Sequence, residues 1–405
     1  MPRAPLLDLL LMLSDQAVPP EPAPPPRPPG LLVWLHVSAG VPAEAVGRLV
    51  ARLGEERADL SVLLTGAVAL PDAQERLMNA LAPADSGAAT ARFLSHWQPT
   101  LFLWAGAGTD DAGLWPRLMR ELHRRAVPVV LAGAVIGRRN LRRWRWWPGR
   151  ARAVLAPVVA AFAGERSAVK RLIALGMAPE RVALAGPLRS DAEPPACDIR
   201  ARQQMAARLE GRPVWLAAEV WPDEEHEYVA AQRLAQRSAR RLLLVLAPCD
   251  PGRGALLASA LRAEGLGVAQ RSAGEIPGPA TTAVVADNPG EIGLWYRLAP
   301  VSVMGGTFGG GAAAAPWAAA ALGSAILHGP NVGARAAEYA ALDRAGAATL
   351  VPSAEALGEA LVQATQPEEA ARLAHAAWDI ASEAAEVTER VVAASLAVLP
   401  PAAVP

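Results

Sequence analysis

"APVSVMGGTFGGGAAAAPWAAAALGSAILHGP", Ala299–Pro330, decides the fold. "VSVMGG" and "SAILHGP" are short apolar runs of the kind that form buried strands. Between them lie a glycine turn and an alanine stretch, and alanine is the best helix former. Strand, turn, helix and strand in that order make a βαβ unit, which implies a parallel sheet. Gly305, Gly306, Gly309, Gly310 and Gly311 shape the turn. Such a turn can cradle a phosphate with backbone N–H groups, or its glycines can simply allow close packing. No Gly-Lys-Ser/Thr follows, so it is not a P-loop.

Moving outward, the same alternation fills the chain. "LLVWLHV", "LSVLLTG", "TLFLWAG", "VPVVLAG", "AVLAPV" and "RVALAGPL" read as strands, with helices in "PAEAVGRLVARLGEE" and "WPRLMRELHRRA". "RSDAEPPACD" interrupts the pattern, which restarts at "PVWLAAE" and continues through "RLLLVLAP", "TAVVAD" and the opening stretch. The expected fold is α/β, with two Rossmann-like doubly wound domains facing a cleft and ligands at the carboxyl ends of the strands. The expected divisions are a short apolar helix and proline-rich linker at 1–30, a first domain at 31–191, a linker at 192–210, a second domain at 211–366, and a terminal helix and tail at 367–405.

Composition narrows the function classes. The 405 residues carry no formal net charge, so no whole-chain field draws in nucleic acid. Cys197 and Cys249 stand far apart with no His or Cys at metal spacing, which argues against a disulfide framework or a zinc site. The run Leu6–Leu13 is shorter than the roughly 20 residues that span a bilayer. It reads equally well as a helix on a membrane surface or one packed on its own domain. "PPEPAPPPRPPG" after it is an extended linker.

Several segments resemble the Kdo transferases, which move 3-deoxy-D-manno-octulosonic acid (Kdo) from its CMP-activated form to a lipid A precursor. They are "LVWLHVSAG", "GLWPRLMRELHRRAVPVVL", "VALAGPLRSD" and "NPGEIGLWYRLAPVSVMGGTF" followed by "AAALGSAILHGP". The resemblance covers most of the chain from Leu31. It implies the GT-B type of glycosyltransferase architecture, an inverting transfer without metal or other cofactor, and a role in lipopolysaccharide synthesis. It also implies CMP-Kdo or a related nucleotide sugar on the second domain, a lipid A precursor on the first, and a peripheral place at the cytoplasmic face of the inner membrane.

Carried over residue by residue, the family's motifs are altered. Its first motif ends Ser-Val-Gly-Glu, the glutamate being the general base; here Ser38, Ala39 and Gly40 lead into Val41. Glu44, three residues on, is the candidate substitute base, or else a solvated residue at the start of a helix. The family's Gly-Gly-His-Asn-Pro-x-Glu-Pro holds the donor nucleotide, its glutamate on the ribose. Its His, Asn and Glu fall on Ala314, Ala315 and Ala318, and its first proline on Pro316. Ser-Thr-His becomes Glu219, Val220 and Trp221; Pro-Arg-His-Pro becomes Pro248, Cys249, Asp250 and Pro251; Asn-Ala-Arg becomes Gly133, Ala134 and Val135. The donor-side candidates that survive are Arg189, Asp287, Gly290, Glu291, Gly305, Gly306 and Thr307, and the acceptor-side ones Ser38, Gly40 and Asp111. A capping or structural role fits Gly290 and Glu291 as well. An alternative function follows from the altered motifs: a catalytically inactive relative acting as a membrane-associated binding or scaffold protein.

One cluster stands apart. "GRRNLRRWRWWPGR" sets Arg138, Arg139, Arg142, Arg143 and Arg145 around Trp144, Trp146 and Trp147. This pairing suits an anionic membrane surface or a phosphorylated glycolipid. It also fits tryptophans packed inward beneath solvated arginines. Interleaved basic and aromatic residues suit nucleic acid too, but nothing else in the chain supports that, and no nucleic-acid partner is expected.

Overall fold

A computed structural model of the chain describes residues 24–71, 76–108, 115–137, 148–189 and 194–401. The contacts divide the chain into two units, residues 1–190 with 383–405, and residues 191–382. Each is built on a seven-stranded, wholly parallel sheet.

In the first unit the strands are β1 (Leu31–Val37), β2 (Leu60–Gly66), β3 (Leu77–Asn79), β4 (Leu101–Ala105), β5 (Val129–Ala134), β6 (Val158–Ala163) and β7 (Val182–Leu184). Their order is β3-β2-β1-β4-β5-β6-β7. The order reverses between β1 and β4, which makes that point the sheet's topological switch. β1 is apolar at nearly every residue because both faces are covered. Leu32 and Trp34 enter one core with Trp97, Phe102 and Trp104; Val33, Leu35 and Val37 enter the other. Val387, Val391 and Val392 of the long helix Pro367–Ala397 complete that second core. The carboxyl-terminal segment therefore belongs to the first unit by burial.

The second unit repeats the plan with β8 (Val214–Val220), β9 (Leu243–Pro248), β10 (Val268–Gln270), β11 (Ala283–Val285), β12 (Val301–Met304), β13 (Ala325–His328) and β14 (Ala348–Leu350). The order β10-β11-β9-β8-β12-β13-β14 switches between β8 and β12. Val214, Leu216 and Ala218 feed one core, and Trp215 and Ala217 the other. The two doubly wound α/β sheets expected from the sequence are present.

Local details differ from expectation. "AVLAPV" was expected as a strand, but Ala153–Leu155 closes the helix Pro148–Leu155 and β6 starts only at Val158. The buried run "VVAAFA" makes the better partner for β5. The sequence reading also passed over β3, β10 and β14, three-residue strands near the sheet edges where little apolar alternation can show. The alanine stretch yields a helix only at Trp317–Ala321. Ahead of it the carbonyls of Ala312, Ala313 and Ala314 accept hydrogen bonds from Trp221 Nε1, Arg335 Nε and Tyr339 Oη at 3.1, 3.1 and 2.7 Å. Those tethers hold the alanines in loop form against their helix propensity.

Candidate functional site

The glycine loop has a use that the sequence did not disclose. It follows β12 and lies against the turn Trp221–Glu224 that follows β8. Glu224 is fully buried. Its Oε2 accepts the Gly306 N–H at 2.7 Å, and its Oε1 accepts those of Phe308 and Gly309 at 2.8 and 3.0 Å. Asp223 takes the Gly310 N–H at 2.8 Å. Successive backbone N–H groups of this kind form an anion-binding nest, and here the anions are the chain's own carboxylates. Glycine is required at Gly306, where φ is +68°, and at Gly311, where a Cβ would lie 2.4 Å from the Trp221 ring.

Thr307 is likewise spent internally. Its hydroxyl donates to the Met304 carbonyl at 2.6 Å and accepts the Gly329 N–H at 2.8 Å. Asp287, after β11, accepts from Gln270 Nε2, Ser272 Oγ and the Ser272 N–H at 2.7, 2.6 and 2.8 Å. Burial opposes its ionisation, yet these donors outweigh that and hold its pKa below the usual carboxylate value. Glu291 forms a two-point pair with Arg271 at 2.8 and 2.9 Å. Gly290 is exposed in the turn Pro289–Glu291, ahead of the seven-residue helix Ile292–Leu298. Asp287, Gly290 and Glu291 sit beyond β11, with β9 and β8 between it and β12. The donor-side candidates thus form two groups rather than one. Arg189 belongs to the first unit, where it lines a groove of about 400 Å³ with Gly164, Gly186, Glu383, Glu386 and Arg390.

The first unit gathers its candidates at the end of β1. Ser38 is buried; its N–H donates to the Ala105 carbonyl at 3.0 Å, and its Oγ accepts Trp104 Nε1 at 2.9 Å. Ser38 is therefore fixed across the β1–β4 switch. Gly40 turns the chain at φ +87°, and Glu44 is exposed in the first turn of the helix Ala43–Glu56. Beneath them Trp34 Nε1 donates to Thr65 Oγ1 at 2.9 Å, and that oxygen lies 3.0 Å from His36 Nδ1. His36 packs 4.5 Å from the Trp115 ring. Burial pushes its pKa down to about 4, so at neutral pH the imidazole is uncharged. Sequence reasoning passed over His36 because its partner Thr65 is on another strand.

Glu219, after Ala218 in β8, also escaped as a site residue, having been read only as a departure from a motif. It is exposed at the end of the strand, yet partial loss of water around its carboxyl raises its pKa, with the Arg335 guanidinium working in the opposite direction. Asp111 and the arginine–tryptophan cluster from Arg138 to Trp147 lie outside the described residues. Among the described residues no group of three or more His, Cys, Asp or Glu is placed to hold a metal ion, and no helix is long and apolar enough to cross a membrane.

Residues 15–192 match the family model for 3-deoxy-D-manno-octulosonic-acid transferase (kdotransferase). The Bordetella pertussis 3-deoxy-D-manno-octulosonic acid transferase is 29% identical over 76% of this chain and 73% of its own length. The probable mitochondrial enzyme of that name from Arabidopsis thaliana is 27% identical over 76% and 70%. Among solved structures, the C-terminal CMP-Kdo binding domain of WaaA from Acinetobacter baumannii is 22% identical, covers 49% of this chain and 96% of its own, and superposes with a TM-score of 0.38. Taken together, the sequence matches make the chain similar to the 3-deoxy-D-manno-octulosonic acid transferases through about three-quarters of its length.

Proposed function

We propose that the protein transfers Kdo from CMP-Kdo to a lipid A precursor, working peripherally at the cytoplasmic face of the inner membrane. The observation that carries this reading is similarity to Kdo transferases through about three-quarters of the chain. In the transfer, an acceptor hydroxyl attacks the anomeric carbon, the bond to CMP breaks, CMP leaves with the electron pair, and a base takes the hydroxyl proton. Val41 cannot be that base. Glu44, the first carboxylate after it, is exposed in the first turn of the helix Ala43–Glu56 and takes the role. The arginine–tryptophan segment supplies the membrane or glycolipid contact.

A second reading, a non-catalytic relative, is favoured by specific observations. Alanines stand at 314, 315 and 318, and the glycine nest holds Glu224 and Asp223. The test is CMP release from CMP-Kdo in the presence of a lipid A precursor. Turnover that falls about 10²–10⁴-fold in Glu44→Gln supports the first reading. An active protein with an unchanged rate in that variant removes Glu44 as base. Inactivity of both wild type and Val41→Glu establishes the second reading.

A further inference from the structure

Glu219 occupies a backbone position that a side chain rarely takes. The pairing of β8 with β9 slips there: Ala218 faces Ala247 and Val220 faces Pro248, leaving Glu219 as the extra residue of a bulge. Its φ is +57°, the left-handed conformation that glycine normally supplies in such bulges. The backbone there is closely packed: a Cβ on Gly305, just after β12, would lie 2.2 Å from the Glu219 carbonyl oxygen. A strained residue held by its neighbours is a mark of functional sites, and bulges often re-aim a side chain beside one.

The location agrees. β8 is one of the two strands at the switch point of the second sheet, and Glu219 stands at its carboxyl end. Among the described residues none hydrogen-bonds its carboxylate, although the Arg335 guanidinium and the hydroxyls of Tyr296 and Tyr339 are near enough to share its field. Glu219 is exposed at the end of its strand, so its carboxylate is open to donors from a ligand. With the Arg335 guanidinium near it, the partners it would take are neutral donors.

We infer that Glu219 is a ligand-contacting residue, its carboxylate accepting hydrogen bonds from the hydroxyl groups of a bound sugar or ribose at the switch point of the second domain. This rests on the nucleotide-sugar reading above.

The test uses the full chain with CMP, 2′,3′-dideoxy-CMP and free Kdo as titrants, and the variants Glu219→Gln and Glu219→Gly. Loss of a hydrogen-bond acceptor should weaken binding about tenfold in both. If the ribose is the partner, wild type prefers CMP over its dideoxy form and the variants lose that preference. If the sugar is the partner, the loss appears with Kdo. Glu219→Gly should at the same time raise the Tm, since glycine adopts the position without strain. Unchanged binding of CMP and Kdo in both variants overturns the inference and leaves the transferase reading standing. Wild type binding neither titrant overturns both. A Glu219→Gly protein with lower Tm and unchanged affinity assigns the residue a structural role.

Discussion

Replacing Glu224 by alanine should markedly destabilise the second domain. The side chain is fully buried and accepts three backbone N–H groups from the glycine loop, at 2.7, 2.8 and 3.0 Å. A hydrogen bond to a charged group contributes about 1.5–3 kcal/mol, and water entering the vacated space recovers part of that, so the expected loss is about 4 kcal/mol. For a domain of this size that corresponds to a fall in Tm of about 8–16 °C. Glu224→Gln keeps the shape but turns an NH₂ toward one of the N–H donors, so about half the loss is expected. Urea unfolding reports it through Trp215, Trp295 and Trp317, all fully buried in this unit. A Glu224→Ala protein within about 0.5 kcal/mol of wild type would refute the assignment of the nest to Glu224.

Three further outcomes are expected. CMP should bind more weakly than to a relative with the full donor motif, because the side chains lost at Ala314, Ala315 and Ala318 each cost about 1.5–3 kcal/mol where they met charged ligand atoms; a micromolar or tighter Kd by calorimetry contradicts this. His36 should make stability depend on acid. Its folded pKa of about 4 lies below the usual 6.5, so the unfolded chain binds the extra proton between those values. The contribution, about 3 kcal/mol, is complete above about pH 6.5 and lost as pH falls through 4. The wild-type-minus-His36→Phe difference in unfolding free energy should therefore narrow on acidification, and a flat difference from pH 7 to 4 refutes it. Glutamates at Arg142, Arg143 and Arg145 should release the protein from anionic vesicles, and salt should weaken wild-type binding; a wild type indifferent to such vesicles assigns the segment a structural role.

What the sequence determined by itself was the layered plan. Apolar runs such as "LLVWLHV" and "VSVM" are buried on both faces, so they announce a parallel sheet without any knowledge of their neighbours. The ordered motifs announced the likeness to the Kdo transferases, because motif order survives where individual side chains do not. The sequence also located the substitutions at Val41, Ala314, Ala315 and Ala318. Only the tertiary structure decided what the glycine loop does. Its N–H groups meet Glu224 across 82 to 85 residues of chain, and no local pattern records so distant a partner. The same holds for His36, whose neutrality comes from burial beside Trp115. It holds also for Glu219, whose left-handed conformation accompanies a register slip between two strands. Propensity and periodicity act over a few residues. Burial, strain and the filling of a nest are set by whatever the fold brings alongside, and that is decided only once the sheets are assembled.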